Sequence, residues 1–158
     1  MKNKFIKSLL VSMLVSVSAF AQNATKTEKV IIDKEQIKKE IQARENEYAE
    51  IYNSGKIQYV GYYAEDAKVF HQNKKPLIGK EAIGAYLAED LKSNTNTISF
   101  KTDEVIVSND GLLVTEIGYY IVRDAKDVII NTGNYMCLFE NRNGKYVCIR
   151  EMSATDMP

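Results

Sequence analysis

The sequence has few of the residue types from which metal centres and reactive sites are usually built. Its 158 residues include one histidine, two cysteines, two prolines and no tryptophan. With so few histidines and cysteines, we expect no dedicated metal site and no cofactor. The sequence also lacks a P-loop, a Gly-x-Gly-x-x-Gly fingerprint and a Gly-x-Ser-x-Gly elbow, the short motifs of nucleotide-binding proteins and of serine hydrolases.

The overall balance of residue types excludes further classes of protein. The chain is 45% hydrophobic and 27% charged, which is typical of one globular domain and unlike disordered, collagen-like or coiled-coil chains. The formal net charge is zero, and loss of the first 21 residues would leave 18 basic against 21 acidic residues, a net charge of −3. A mildly acidic domain without a basic stripe is not expected to bind nucleic acid.

The N-terminal segment is typical of a secretory signal peptide. Met1–Lys7 is positively charged, Ser8–Phe20 is a run of apolar and small residues, and cleavage is expected after Ala21. A membrane anchor is the alternative, but the apolar run of about 13 residues is shorter than the ~20 that a spanning helix needs. We therefore expect a protein exported to the periplasm or the medium, with a flexible leader at 22–29, a domain at 30–158 and no membrane association after cleavage.

Hydrophobic spacing predicts an α+β fold. Helices are predicted at Val30–Asn53, where Glu45 is expected on the solvent-facing side, at Lys56–Tyr63, and from Gly79 to about Leu91. A short strand at Asp66–His71 precedes the last of these helices, and the period then changes to two. Four long strands are predicted at Ile98–Val107, Leu112–Arg123, Val128–Glu140 and Lys145–Met152. This order indicates three helices packed on one face of a curved antiparallel sheet.

Several short segments resemble a known superfamily. They are Tyr52-Asn53-Ser54-Gly55, Tyr62-Tyr63-Ala64-Glu65-Asp66-Ala67, Ile78-Gly79-Lys80-Glu81-Ala82-Ile83, Gly133-Asn134-Tyr135, Asn143-Gly144-Lys145-Tyr146 and Arg150-Glu151. Together they resemble the nuclear-transport-factor-2-like (NTF2-like) superfamily, and more narrowly the small exported domains of its SnoaL-like and ketosteroid-isomerase-like branch. The resemblance implies a cone-shaped α+β fold with a deep pocket between sheet and helices, and a homodimer formed through the sheet.

The resemblance also implies positions for catalytic residues. The carboxylate base of the ketosteroid isomerases would fall on His71, the oxyanion tyrosine of the first helix on Tyr48, and the second oxyanion donor on Tyr135 or close to it. Compared with the ketosteroid isomerases, the chain thus keeps the tyrosine donor at Tyr48, but has different residue types at the base and at the second donor. A neutral imidazole accepts a proton near neutral pH, and buried tyrosine hydroxyls stabilise a developing oxyanion.

Two functions are compatible with these residues. The favoured hypothesis is a small-molecule-binding domain that holds a small apolar compound in an aromatic-lined pocket, because ten tyrosines supply apolar area with a polar tip. The alternative is an isomerase, cyclase or dehydratase that abstracts a proton beside a carbonyl, with His71 as base and Tyr48 and Tyr135 as donors. Strand alternation lets only one of Tyr119 and Tyr120 face inward. The pocket residues expected besides the catalytic three are Tyr52, Tyr63, Val69, Tyr86, Cys137 and Phe139.

The two cysteines lie on the last predicted hairpin, whose register is open. If Asn141–Gly144 is a four-residue loop, Cys137 faces Cys148, and export to an oxidising compartment permits a disulfide. If Asn143-Gly144 is a two-residue turn, Cys148 faces Phe139 and the thiols are diagonal and reduced.

Overall fold

The protein, described by a computed structural model over residues 32–57 and 61–157, has two layers. A curved six-stranded sheet carries two helices on one face. The predicted α+β class is therefore confirmed. The helices are α1 (Lys34–Asn53) and α2 (Lys80–Asp90), and the strands are β1 (Tyr63–His71), β2 (Leu77–Ile78), β3 (Thr97–Val107), β4 (Leu113–Arg123), β5 (Ile129–Arg142) and β6 (Lys145–Thr155).

The strand order across the sheet is β2-β1-β6-β5-β4-β3. The β1–β6 pair is parallel, and the remaining neighbours are antiparallel. α1 packs mainly against β3, whereas α2 packs against β1. Within the described residues, neither helix is long and apolar enough to cross a membrane. The predicted signal peptide and leader lie outside the described residues.

α1 carries the predicted apolar stripe and one unexpected acid. Asp33 caps the helix by accepting a hydrogen bond from the Gln36 amide at 3.0 Å. Ile41, Tyr48 and Tyr52 are buried, as the spacing predicted. The expectation that Glu45 faces solvent is wrong, because its side chain is only 1% exposed. Glu45 lies four residues after Ile41 and three before Tyr48, so the helical period places it on the buried stripe.

The segment Lys56–Tyr63, predicted as a second helix, does not end as a helix. Ile57 lies in a 3₁₀ turn, residues 58–60 lie outside the described part, and Tyr63 begins β1 rather than ending a helix. The reason is tertiary, since the Tyr62 carbonyl accepts a hydrogen bond from the Cys148 amide at 2.8 Å and both tyrosine rings are buried. β1 therefore begins three residues before the predicted Asp66.

The β5–β6 hairpin adopts the register of a two-residue turn. Arg142 pairs with Lys145, and Cys148 pairs with Phe139. Asn143 and Gly144 have φ values of 58° and 81°, the positive values that this tight turn requires. Cys137 and Cys148 are buried free thiols, so of the two alternatives the structure has the one with diagonal, reduced cysteines.

Inward side chains of the sheet form rows that run across the strands. Val114, Phe139 and Cys148 form one fully buried row with Tyr63, and this row is the apolar end of the core. The next row consists of Glu116, Cys137 and Glu151, and we call it the polar row. The third row consists of Gly118, Tyr135, Ser153 and His71. The interior thus changes from apolar to polar along the strands.

Candidate functional site

A cavity of about 190 Å³ lies between the two helices and the concave face of the sheet. Its walls are mainly aromatic, with carboxylates at two points. We call it the aromatic cavity. Its lining residues are Tyr48, Tyr52, His71, Tyr86, Leu87, Asp90, Ile98, Phe100, Tyr120, Tyr135, Glu151 and Ser153.

The three predicted catalytic residues meet at this cavity. His71, Tyr48 and Tyr135 come from β1, α1 and β5 and all line it. Tyr52 and Tyr86, which were predicted as pocket residues, line it too. The fold therefore places residues that are distant in the sequence around the same cavity.

The other predicted pocket residues lie beneath or behind the cavity. Cys137 lines a small void of about 10 Å³ that adjoins it. Tyr63 is buried, and its hydroxyl donates to the Glu151 carboxylate at 2.6 Å. Val69 and Phe139 are buried core residues with exposures of 1% and 0%, and neither is among the residues that line the aromatic cavity.

His71 is half-buried at the cavity wall. Its ring centroid lies 5.1 Å from that of Tyr86, and the Lys74 ammonium lies over the Tyr86 ring, 4.9 Å from its centroid. Burial lowers the pKa of His71, and the charge of Lys74 lowers this pKa further, while Asp90 acts in the opposite direction. The imidazole is therefore neutral at neutral pH, the form that accepts a proton.

The hydroxyl of Tyr135 is held by a buried acid. It donates to Glu116 Oε1 at 2.8 Å, and Thr102 donates to the same oxygen at 2.5 Å. Burial raises the pKa of Tyr135 far above its ordinary value, so the hydroxyl keeps its proton. That proton points to Glu116, so Tyr135 presents its oxygen lone pairs, and not a donor, to other groups.

Tyr52 follows the same pattern at the other end of the cavity. Its hydroxyl donates to Asp90, whose Oδ2 also accepts from the Asn94 amide at 2.9 Å. Burial raises the pKa of Tyr52, and the hydrogen bond to Asp90 raises this pKa further. Tyr48 is also buried, and burial raises its pKa well above the ordinary value.

Two glycines make room for the cavity tyrosines. A Cβ at Gly118 would lie 2.4 Å from the Tyr135 ring, and a Cβ at Gly133 would lie 2.5 Å from the Tyr120 ring. Each ring therefore lies directly over the neighbouring strand, where any larger residue would displace it. Tyr120 lines the cavity while Tyr119 is exposed, which confirms the predicted alternation.

The sequence analysis missed the acids of this region. Glu45 and Glu116 are fully buried, and Asp90 and Glu151 line the cavity. Alternation along β4 could have indicated Glu116, because it has the same parity as the inward Val114. Burial raises the pKa of the Glu151 carboxyl, and the hydrogen bond from Tyr63 partly offsets this.

Comparisons with known proteins show which fold the chain has. No protein-family model matches the sequence, and no curated protein is similar to it in sequence. Among solved structures, an NTF2-like protein with a cystatin-like fold from Novosphingobium aromaticivorans superposes with a TM-score of 0.66 at 16% identity, covering 77% of this chain and 83% of that chain. The chain has the NTF2-like fold. The predicted resemblance is thereby confirmed at the level of the fold.

Two further solved structures superpose on this chain. A domain of unknown function with a cystatin-like fold from Nostoc punctiforme superposes with a TM-score of 0.69 at 12% identity, over 81% of this chain and 80% of that one. A ketosteroid isomerase-like protein from Erwinia carotovora atroseptica gives 0.61 at 15% identity, over 76% and 96%. At these identities the likeness concerns the fold, and the chemistry depends on the residues of the cavity.

Proposed function

We propose that this protein is an exported small-molecule-binding domain whose ligand occupies the aromatic cavity. The observation that carries the proposal is an aromatic-walled space of about 190 Å³ between the helices and the sheet. An apolar cavity of ~150 Å³ holds a benzene molecule, so this volume suits a compound built around one ring. Aromatic walls with a few polar groups are typical of ligand pockets.

Ligand binding is tested by filling the cavity. Ser153→Phe adds a ring to the inward row, whereas Ala154→Phe adds the same ring at the next residue, which is exposed. We expect Ser153→Phe to weaken retention of copurifying compounds more than about tenfold, a change of ~1.4 kcal/mol in binding. The measurement is mass spectrometry of small molecules released from the purified protein. Equal retention by both variants would place the ligand elsewhere.

Export is part of the same proposal and has a direct check. The charged start, the apolar run and Ala21 are the features that support it. We expect the intact mass of the protein from the exported fraction to match a chain that begins at Gln22. An intact mass that includes Met1–Ala21 would contradict cleavage.

A second candidate function is proton abstraction beside a carbonyl. The observation in its favour is that a neutral His71 lines the same cavity as Tyr48. His71→Ala is expected to slow solvent-deuterium exchange into the bound compound by about 10²–10⁴-fold, the usual contribution of a general base. Exchange in the unmodified protein should fall as the pH drops through the lowered pKa of His71, because imidazolium accepts no proton.

The readout for His71 separates a catalytic role from a structural one. Because the side chain is only half-buried, His71→Ala should leave the thermal transition nearly unchanged. Undiminished exchange in this variant would rule out proton abstraction by His71, and the proposal of ligand binding would be unaffected.

We also propose that the protein dimerises with a second copy through the outer face of the sheet. Met136 of β5 and Met152 of β6 are directly paired on this face and are 50% and 59% exposed. On the neighbouring strand β4, Ile117 is the residue that pairs with Met136. An apolar patch that continues across three strands is typical of an interface. Met136→Lys should yield a monomer by sedimentation equilibrium, whereas Met157→Lys, which replaces an equally exposed methionine beyond β6, should not.

A further inference from the structure

Several acidic side chains lie close together beside the aromatic cavity, and no basic side chain of the described residues pairs with them. Glu116, Cys137 and Glu151 form the polar row, and Glu45 of α1 lies above it. Ligand atoms of Glu45, Glu116 and Cys137 all lie within 4.8 Å of one another. These three residues are buried, with exposures of 1%, 0% and 1%.

No cation among the described residues balances this cluster. Within residues 32–57 and 61–157, no lysine, arginine or histidine side chain forms a hydrogen bond or salt bridge with Glu45, Glu116 or Glu151. Ionised carboxylates removed from water need a partner of opposite charge or must take up a proton. The cluster therefore holds either protons or a cation.

Hydroxyl groups hold each carboxylate in a fixed orientation. Tyr62 donates to Glu45 Oε1, and Tyr135 donates to Glu116 Oε1. The second oxygen of Glu116, Oε2, is buried and has no hydrogen-bond partner. Carboxylates that bind metals are usually oriented in this way: a hydrogen-bond donor holds one oxygen, and the other oxygen stays free.

Space for one atom lies next to these ligands. The void of about 10 Å³ is lined by Glu45, Cys137 and Glu151 among others, whereas Glu116 is not one of its lining residues. This volume is close to that of one water-sized probe sphere. Around tetrahedral zinc, bond lengths of 2.0–2.3 Å place ligand atoms roughly 3.3–3.7 Å apart. The present separations of up to 4.8 Å therefore require side-chain shifts of about 1 Å.

We propose that Glu45, Glu116 and Cys137 bind a zinc ion between α1 and the sheet. A thiolate with two carboxylates suits Zn²⁺ better than Mg²⁺ or Ca²⁺, which prefer oxygen ligands alone. The ion takes the place of the proton on Cys137 and pairs the orphaned Glu116 oxygen. The void beside Glu45 and Cys137, which Glu151 also lines, offers room for a fourth ligand.

The test uses cobalt as a spectroscopic substitute for zinc in the otherwise unmodified protein. After refolding with one equivalent of Co²⁺, we expect a near-ultraviolet thiolate-to-cobalt charge-transfer band and visible bands of tetrahedral intensity. Protein purified without chelator should contain close to one zinc per chain by elemental analysis. Absence of both zinc and the cobalt bands would overturn the proposal and leave the two glutamates sharing a proton.

Matched variants identify the ligands. Cys137→Ser should abolish the charge-transfer band, whereas Cys148→Ser changes a neighbouring buried thiol in the same way and should preserve it. Loss of the band in Cys148→Ser would overturn the assigned set and favour Cys137, Cys148 and Glu151, whose ligand atoms also lie within 4.8 Å of one another.

Two isosteric changes test the carboxylate and its orientation. Glu116→Gln should weaken zinc affinity more than about 100-fold, and Tyr135→Phe, which removes only the orienting hydroxyl, should weaken it about 10–100-fold. Affinity is measured by competition with a chromophoric chelator, and circular dichroism verifies that each variant is folded. Unchanged affinity in folded Glu116→Gln would contradict the assignment.

Discussion

Replacing Gly133 by alanine is expected to lower the free energy of unfolding by more than about 3 kcal/mol, above the usual range for overpacking. The added Cβ would lie 2.2 Å from the Ala154 carbonyl oxygen and 2.5 Å from the Tyr120 ring. The carbonyl belongs to the neighbouring strand β6, so it cannot retreat without disturbing the β5–β6 pairing. The Tyr120 ring would also be driven into the aromatic cavity, whose wall it forms.

Urea unfolding followed by circular dichroism measures this change, and Gly84→Ala is the control. A Cβ at Gly84 in α2 would meet nothing within 4 Å. Alanine in a helix interior is favoured over glycine by about 0.8–1.0 kcal/mol, so this variant should be more stable than the parent. If both substitutions changed stability alike, the close approach of Tyr120 and β6 to Gly133 would be incorrect.

Replacing Phe139 by alanine is expected to cost about 3–5 kcal/mol of stability, the range for removing a buried aromatic ring. Phe139 is 0% exposed and lies between Val114 and Cys148 in the apolar row. Its ring meets that of Tyr62 edge to face, with centroids 5.5 Å apart. The cavity left by the ring would be enclosed by packed strands that have little freedom to collapse.

A matched change at an exposed residue isolates the effect of burial. Leu112 is 51% exposed, and Leu112→Ala is expected to change stability by about 0.5 kcal/mol or less. Both variants are compared by urea unfolding at the same protein concentration. A cost below ~1.5 kcal/mol for Phe139→Ala would mean that the apolar end of the core is loosely packed.

The candidate site was predicted only in part. His71, Tyr48 and Tyr135 were named from the resemblance, and the structure brings all three to one cavity. The buried acids were missed because composition reports how many carboxylates a chain has, not where they converge. Glu45 shows the limit most clearly, since an acid in a helix usually faces water. The helical period allows Glu45 on the buried stripe, but its hydrogen-bond partner Tyr62 is brought there only by the tertiary structure.

The sequence alone was sufficient for the alternation of the four long strands, the apolar stripe of the first helix and the presence of a hairpin turn within Asn141–Gly144, because these depend on local periods and on backbone conformation. Only the tertiary structure decided the β5–β6 register, the start of β1 at Tyr63, and the convergence of Glu45, Glu116 and Cys137. These features depend on pairing between strands and on packing between layers, where residues distant in the chain compete for the same space and the same hydrogen bonds.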